Sequence, residues 1–486
     1  MSRSGLLGLL LATGLAISGC GSSSPASSPL TTALSYFPKD SPFVMSVATN
    51  PRSSAVKGGQ ATLHGIPLAT FGQAALIARL QALGINYDSD IRPLFGNPLL
   101  VGLAGPATPG SVDTRPLVVW VTKDASALAS LISALHLKQT QTYDGATLYG
   151  MSSTAVAVDR ATLLVGASAQ ELMSALDLRA HGGGLSFTDY DSELAGLPKN
   201  SLLEAFGYLG GVLSKSGAAN ARRVAWVSAL RGYGVSISAG SNGLTFQYRL
   251  DTSGAALSPA ELPLAPGSAP PALAGNLPIL VGLREPATTL SFLLDVERVS
   301  SPMKYAADLA AMNAVRRKTG VDFDRDVLGQ LGTGAMVESD GRSFMVRVDV
   351  KSPGAAARTL RRLGTSALDI AETHPGARVT LGPGSFETAH RPHGPSILFG
   401  LVGGEFVAGT ATPAHLRAFA GMPAPAAAGA QGALAFQIAL PELLRVVLKH
   451  APSRTIQLVL SQLGDITGWT SSSAGALTGS ATLSLR

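Results

Sequence analysis

The chain has 486 residues, of which 46% are hydrophobic and 14% are charged, and this balance excludes a disordered protein. Its length allows two or more domains with sizeable cores. The formal charge of +6 is spread along the sequence without a long basic run, whereas nucleic-acid binding requires a concentrated basic surface. The composition therefore predicts a folded protein that does not bind nucleic acid.

The N-terminus has the pattern of an export signal. Arg3 precedes an apolar segment from Leu6 to Ile17, and small residues follow up to Cys20. The apolar segment is too short to span a bilayer. It resembles a bacterial lipobox, which implies a signal peptide that ends at Gly19, cleavage before Cys20, and a diacylglyceryl group and a further acyl chain such as palmitate on Cys20. An ordinary secretory signal with a nearby cysteine is the alternative.

Cys20 is the single cysteine of the chain, so no intramolecular disulfide can form. Two or more buried acyl chains hold a protein stably on a membrane, and residues 20–33 contain a Gly, Ser and Pro segment of the flexible tether type. We therefore predict an exported lipoprotein that is held at the extracytoplasmic face of a membrane through its N-terminal lipid.

The first folded unit is predicted over residues 34–252. Apolar spacing indicates helices at 74–83, 125–135 and 169–178, the second with Asp124 as its N-cap. Strands are predicted at 43–49, 99–103, 116–122, 154–158 and 162–166. A strand that continues into a helix at 202–213 and a hairpin at 235–250 complete the unit.

A second unit, over residues 276–486, is predicted after a Pro- and Ala-rich linker at 253–275. Its predicted strands are at 277–283, 343–350, 397–402 and 405–408, and its predicted helices are at 308–319, 353–363 and 413–420. A mixed element at 433–448 and a hairpin at 464–485 close the chain. The elements follow the same order as in the first unit.

A short acidic motif marks the correspondence between the two units. Residues 320–326 read GVDFDRD, and residues 84–90 read GINYDSD. The recurrence of a motif inside the same series of elements indicates an internal repeat. Strands outnumber helices and are joined by short turns, so the predicted fold class is α+β, with two tandem duplicated units, each a mostly antiparallel sheet with helices packed on one face.

The lipobox, the segment 37–42 (FPKDSP) and the two acidic motifs together resemble the exported bacterial proteins of the domain-of-unknown-function 3352 family. The resemblance covers the whole mature chain. It implies a protein of the cell surface or periplasm, and it supplies no catalytic residue.

Asp322, Asp324 and Asp326 are weak candidates for a cation site, since they alternate as in the opening of a calcium loop. Such a loop requires Gly at its sixth position and Glu at its twelfth, where this chain has Val327 and Thr333. We therefore predict no metal here, and expect Gly320 to cap the preceding helix and Asp324 or Asp326 to cap a short turn.

Glu387, His390 and His393 form a second set, because a carboxylate and two imidazoles suit a transition metal. Pro392 and Pro395 disfavour a helix, so the spacing does not place both imidazoles on one helical face. We expect a loop with incidental histidines. No nucleophile elbow, phosphate loop or dinucleotide fingerprint occurs either, and we predict no cofactor and no enzymatic activity.

Three functions remain as hypotheses. The first is a non-catalytic lipoprotein that binds another envelope protein or envelope component. The second is a carrier or sensor of an apolar, lipid-like ligand held in a pocket. The third and least favoured is a hydrolase with an unrecognised site. Filled cores with an exposed apolar patch favour the first hypothesis, and a dry apolar cavity favours the second.

Overall fold

The computed structural model of the chain describes residues 28–64, 77–82, 84–103, 115–150, 154–210, 220–240, 243–373, 378–381, 386–390, 395–447, 457 and 460–486. Its strands form one continuous sheet of 20 strands in which every pairing of neighbours is antiparallel. The α+β fold class is confirmed.

The first ten strands are β1 Val44–Val47, β2 Leu99–Leu103, β3 Pro116–Val121, β4 Lys138–Tyr143, β5 Ala146–Gly150, β6 Ala155–Asp159, β7 Thr162–Gly166, β8 Leu203–Tyr208, β9 Gly232–Gly240 and β10 Gly243–Asp251. The last ten are β11 Ile279–Arg284, β12 Leu331–Ser339, β13 Phe344–Val350, β14 Arg378–Leu381, β15 Phe386–His390, β16 Ile397–Val402, β17 Glu405–Gly409, β18 Leu434–Ile438, β19 Leu463–Ser472 and β20 Ala476–Leu485. We call the chain up to β10 the first half, and the chain from β11 onward the second half.

The helices of the first half are α1 Pro29–Leu34, α2 Ser54–His64, α3 Ala125–Ala134, α4 Ala169–Ala180, α5 Phe187–Glu193 and α6 Ala225–Ala229. Those of the second half are α7 Pro286–Ser300, α8 Pro302–Thr319, α9 Pro353–Thr373, α10 Pro413–Ala420 and α11 Leu440–Val447. The ends of several follow from local chemistry. The Asp124 carboxylate caps α3 by accepting from the backbone N–H groups of Ser126 and Ala127, and Gly320 ends α8 with a φ of 71°.

The strand order is the same in the two halves. Across the sheet it runs β4-β5-β6-β7-β3-β2-β1-β8-β9-β10 and then β20-β19-β18-β11-β12-β13-β17-β16-β15-β14. Each strand of the second half thus occupies the place of the strand ten earlier in the first half. The halves meet where β10 pairs with β20, with Gln247 opposite Ser480.

The first half has a core on each face of its sheet. On one face, Leu172 and Leu176 of α4 pack with Leu117 and Val119 of β3. On the other, the α3 stripe with Leu128 packs with the intervening β3 residues Val118 and Trp120. The prediction of helices on one face alone is therefore wrong for this half. The physical reason is that β3, PLVVWV, is apolar at consecutive positions, and such a strand requires cover on both sides.

The second half has one comparable core, in which Leu416 and Phe419 of α10 pack on Met336, Met345 and Val407. The segment predicted as a linker packs against the same half. Its Leu264 and Ala265 are buried with Ala433. Pro259–Glu261 forms a single 3₁₀ turn, and Ala272 forms a bridge with Ala426.

Candidate functional surfaces

The proposed lipidation site lies outside the part of the chain that the structure describes. Gly19 and Cys20 precede residue 28, so cleavage and acylation stay predictions. Among the described residues, none of the helices has both the length and the apolar character needed to cross a bilayer.

The first acidic motif folds as a single turn of π-helix, Tyr87–Ile91. The Asn86 side chain caps this turn by accepting from the backbone N–H of Asp88 at 2.9 Å, and the Asn86 N–H donates to Asp90 Oδ2 at 2.8 Å. Tyr87 packs against Phe95, with ring centroids 6.4 Å apart. The polar residues of the motif therefore shape a turn.

The second copy forms the same turn, Phe323–Val327, and it too has a capping side chain and a hydrogen bond from the backbone N–H of the capping residue. Asp322 Oδ1 accepts from the Arg325 N–H at 3.0 Å, and the Asp322 N–H donates to Asp326 Oδ2 at 2.9 Å. Arg316 lies 3.1 Å from Asp322 Oδ2, and the Arg325 guanidinium bonds Asp326 and holds the pKa of that carboxyl well below its usual range.

These contacts decide the role of the weak cation candidates. Turn N–H groups and two guanidinium groups occupy the carboxylates of Asp322 and Asp326, while Asp324 is exposed. The described ranges contain no cluster of three or more potential metal ligands. The expected capping function is confirmed for Gly320, but the cap of the turn is Asp322 and not Asp324 or Asp326.

Glu387 and His390 lie in strand β15, so the predicted loop is wrong up to His390, while His393 lies outside the described residues. The Glu387 carboxylate faces Gly364 of α9, and its Oε2 is buried with no hydrogen-bond partner among the described residues. Burial raises the pKa of this carboxyl.

A buried arginine in β13 was not predicted from the sequence. Arg347 Nη1 donates to the carbonyl oxygens of Phe419, Ala420 and Met422 at 2.9, 3.2 and 2.8 Å. It lies at the C-terminal end of α10, where a positive charge is favourable. Glu405 Oε2 is 4.0 Å away, and burial raises the pKa of Glu405. The signal in the sequence is an arginine inside the alternating apolar strand FMVRVDV.

The first half has a polar network of its own. The Tyr36 hydroxyl donates to Asp159 Oδ2 at 2.8 Å, and the Arg179 guanidinium bonds the same carboxylate and lies over the Tyr36 ring. Burial raises the pKa of Tyr36. The network ties α1 and α4 to the turn after β6, so its role is structural.

Helices α7 and α8 form a hairpin that exposes apolar side chains. Met303 is 89% exposed and Leu293 is 53% exposed, and Leu290 and Leu309 are also exposed. Helix α8 has no buried residue along its 18 residues. The other large exposed hydrophobic side chain of the described chain is Phe246 in β10. Exposed apolar side chains that form a contiguous patch are typical of interaction sites.

A cavity of about 460 Å³ lies where α7 meets the segments before β9 and before β11. Its walls include the charged side chains of Arg223, Glu261, Asp295 and Arg298. Arg298 forms an ion pair with Asp295. This cavity is unlike the dry apolar pocket expected of a lipid carrier.

A second apolar surface is found on the sheet itself, on the face covered by α7, α8 and α9. Directly opposed residues of six neighbouring strands form two rows there, and every one of them is only half-buried. We call this set the second-half face: Phe436, Val281, Val337, Val346, Ala408 and Phe399, and then Leu434, Leu283, Ala335, Val348, Phe406 and Leu401.

The same positions in the first half are mostly buried. Strand pairing places there Ala205, Met45, Val101, Val118, Val165 and Val156, and then Leu203, Val47, Leu99, Trp120, Leu163 and Val158. All are buried except Met45, Val101, Leu203 and Val158, which are half-buried. Equivalent strands thus carry a filled core in one half and an incompletely covered apolar face in the other.

Basic side chains gather at one end of the second-half face. They come from the end of α8, the turn Phe323–Val327 and the first half of α9. The set, which we call the basic cluster, is Arg316, Arg317, Lys318, Arg325, Arg358, Arg361 and Arg362, all exposed. Asp322, Asp324 and Asp326 are the acidic residues of the same turn. Helix α3, the first-half counterpart of α9, has the sequence ASALASLISA and no charge.

Comparisons with known proteins identify no relative by sequence. No family model matches the chain, and no curated protein matches it significantly. Among solved structures, crystal forms III, I and IV of TP0453 align with 46, 49 and 45% of this chain and with 82, 82 and 80% of their own. The identities are 9, 12 and 10%, and the TM-scores are 0.27, 0.27 and 0.26. Such scores establish neither a shared fold nor a shared function.

Proposed function

We propose that this chain is a lipid-anchored, non-catalytic binding protein of the bacterial cell envelope, whose docking surface for a partner protein is the α7–α8 hairpin. The observation that carries the docking surface is the exposure of Leu290, Leu293, Met303 and Leu309 on these two helices. Removing such side chains from water on binding is favourable, at about 25 cal/mol per Å² of apolar area. The anchor rests on the sequence around Cys20.

The proposal includes the origin of the chain by tandem duplication within the domain-of-unknown-function 3352 family. The recurrence of one strand order after ten strands supports the duplication. So does the equivalent hydrogen bond from Asn86 N–H to Asp90 in one turn and from Asp322 N–H to Asp326 in the other. Family membership rests on the sequence motifs alone.

The anchor is tested by fractionating a bacterial host that expresses the full chain. The wild type should be found in the membrane fraction with the intact mass of an acylated chain. Cys20→Ala should lose both the acyl mass and membrane retention, whereas Ser24→Ala in the tether should keep both. An unacylated, soluble wild type would refute the anchor.

The docking surface is tested with a photo-crosslinking residue at position 303, since Met303 is 89% exposed. The anchored protein should give a discrete adduct, which Leu290→Gln with Leu293→Gln should abolish. The same crosslinker at the exposed position Lys138 is the control and should give none. Equal adducts from both positions would refute a specific surface.

A carrier or sensor of an apolar ligand is the second candidate function. The specific observation in its favour is the second-half face, which is apolar, covered by helices and yet half-buried. A surface of this kind lacks the close packing of a finished core.

A further inference from the structure

We propose that the second-half face is a binding site for a long-chain anionic amphiphile, whose acyl chain lies between the sheet and helices α7, α8 and α9 and whose acidic head group lies at the basic cluster. This inference deepens the carrier function proposed above. It does not depend on acylation of Cys20 or on the α7–α8 docking surface.

Two helices support the second-half face, and a third helix bridges them. Helix α7 packs against β12, and α9 packs against β14 and β16, so these two helices lie on different parts of the face. Helix α8 packs against α7 and α9 and bridges them. The strands between the two supports, β13 and β17, contribute Val346, Val348, Phe406 and Ala408 to the face.

The side of α8 that is less exposed to solvent is still only half-buried. Its less exposed residues recur at alternating spacings of three and four, as in a helix that rests on a core. They are Tyr305, Asp308, Met312, Val315 and Thr319, and all of them are only half-buried. A helix in close contact with a sheet buries such a stripe, as α3 does with Leu128 and Leu131. The stripe of α8 is therefore less closely packed than that of α3.

The walls of the proposed site are apolar. Both rows of the second-half face are entirely hydrophobic, and the inward stripe of α8 includes Met312 and Val315. Such walls suit an acyl chain and exclude a sugar or a nucleotide, which would leave polar groups unpaired. Glu387 lies beside Phe399 across β15 and β16, so one carboxyl borders the apolar surface.

The basic cluster gives the proposed site a positively charged end. The basic cluster joins α8, α9 and the turn Phe323–Val327, and Arg316 and Arg362 act on the acidic residues of this turn. Its Arg and Lys residues exceed its three Asp residues, which leaves excess positive charge at one end of the apolar walls. Complementarity therefore selects an anionic head group over a neutral or cationic one. A fatty acid and an anionic phospholipid share this chemistry.

The experiment uses the full chain with Cys20→Ala, purified without detergent and delipidated. The probes are a fluorescent long-chain fatty acid and its neutral methyl ester. Saturable binding of about one fatty acid per chain is expected. In a second arm, vesicles that contain phosphatidylglycerol compete with the fatty acid, and competition identifies the phospholipid as a further occupant.

Two sets of variants locate the site. Ala335→Leu with Ala408→Val gives the second-half face the residues Leu99 and Val165 of the first half, and should weaken fatty-acid binding at least tenfold without lowering the thermal midpoint. The matched control is Ala180→Leu, at an exposed position of α4. Arg317→Gln, Arg358→Gln and Arg361→Gln together should weaken the acid about tenfold and leave the ester unchanged.

The control for charge is Lys39→Gln, Lys57→Gln and Lys138→Gln, at exposed positions of the first half. Equal loss in this control would overturn the assignment of the head group. Absence of saturable binding, or undiminished binding by Ala335→Leu with Ala408→Val, would overturn the site. Membrane retention through Cys20 and crosslinking at position 303 would be unaffected by that failure, so the two proposals fail separately.

Discussion

The two halves of the sheet have the same strand order, yet equivalent residues differ in burial. Val118, Trp120 and Leu163 of the first half belong to a filled core, while their counterparts Val346, Val348 and Phe406 are only half-buried. Strand pairing determines which residues share a face, and the covering helices determine how fully that face is removed from water. A repeated architecture can therefore form a core in one half and a binding surface in the other.

The largest expected effect tests this difference directly. Leu163→Ala in the first half should lower the free energy of unfolding by about 3 kcal/mol, because it leaves a cavity in a filled core. Phe406→Ala at the equivalent position should lower it by about 1 kcal/mol, because a half-buried side chain removes less apolar area from water, although the deleted side chain is larger. Urea unfolding of both variants measures the contrast. Equal losses would show that both faces are filled cores.

The two halves also differ on the opposite face of the sheet, where Arg347 occupies the position of Val119 in the first half. Arg347→Met keeps most of the volume but removes the donor to three carbonyl oxygens at the end of α10. We expect a loss of about 2 kcal/mol, the range of hydrogen bonds made by charged groups. Arg342→Met, at an exposed position, is the control in the same urea titration. A loss below about 0.5 kcal/mol would mean that these bonds contribute little.

Enlarging an alanine should have opposite effects in the two halves. Ala205→Leu overfills the first-half face, where Ala205 is 5% exposed, and should lower stability by about 1–3 kcal/mol. Ala335→Leu enters unfilled space and should leave stability unchanged or raise it by about 0.5 kcal/mol. Thermal unfolding of the two variants, in the absence of lipid, is the measurement. Destabilisation by Ala335→Leu would contradict the open face.

The smallest expected effect concerns pH. Burial raises the pKa of Glu387 in the folded state above its unfolded value, so the folded chain holds this proton to higher pH. Stability therefore falls as pH rises from the ordinary value for Glu, about 4.3, through the raised value. Glu387→Gln should raise the thermal midpoint near neutral pH and reduce this fall. The first half has Tyr149 at the same place, and Tyr149→Phe should not alter the pH profile.

Much of the fold follows from local patterns in the sequence. The strand Leu99–Leu103 and the helix that begins after Asp124 are where the apolar runs and the cap predict them. Strand β4, KQTQTY, was not predicted because it is polar and exposed, and β12 was not predicted because two glycines interrupt its apolar pattern. Helix α7, Pro286–Ser300, was also missed, since its β-branched residues Thr288, Thr289, Val296 and Val299 have little helical preference.

The candidate site was not predictable in the same way. Alternation in FMVRVDV shows that Val346 and Val348 share a face, but it does not show how closely a helix covers them. That cover depends on how α8 packs on α7 and α9, which is a tertiary contact that no local sequence pattern specifies. The location of the anchor, in contrast, is a local signal around Cys20.

The most direct test of the open face is native mass spectrometry of the Cys20→Ala chain, purified from a bacterial host without detergent or delipidation. We expect a chain that carries the added mass of one anionic lipid, and the loss of this mass in Ala335→Leu with Ala408→Val but not in Ala180→Leu. A Cys20→Ala chain of bare polypeptide mass, or a lipid adduct that survives the filling substitutions, would contradict the open face.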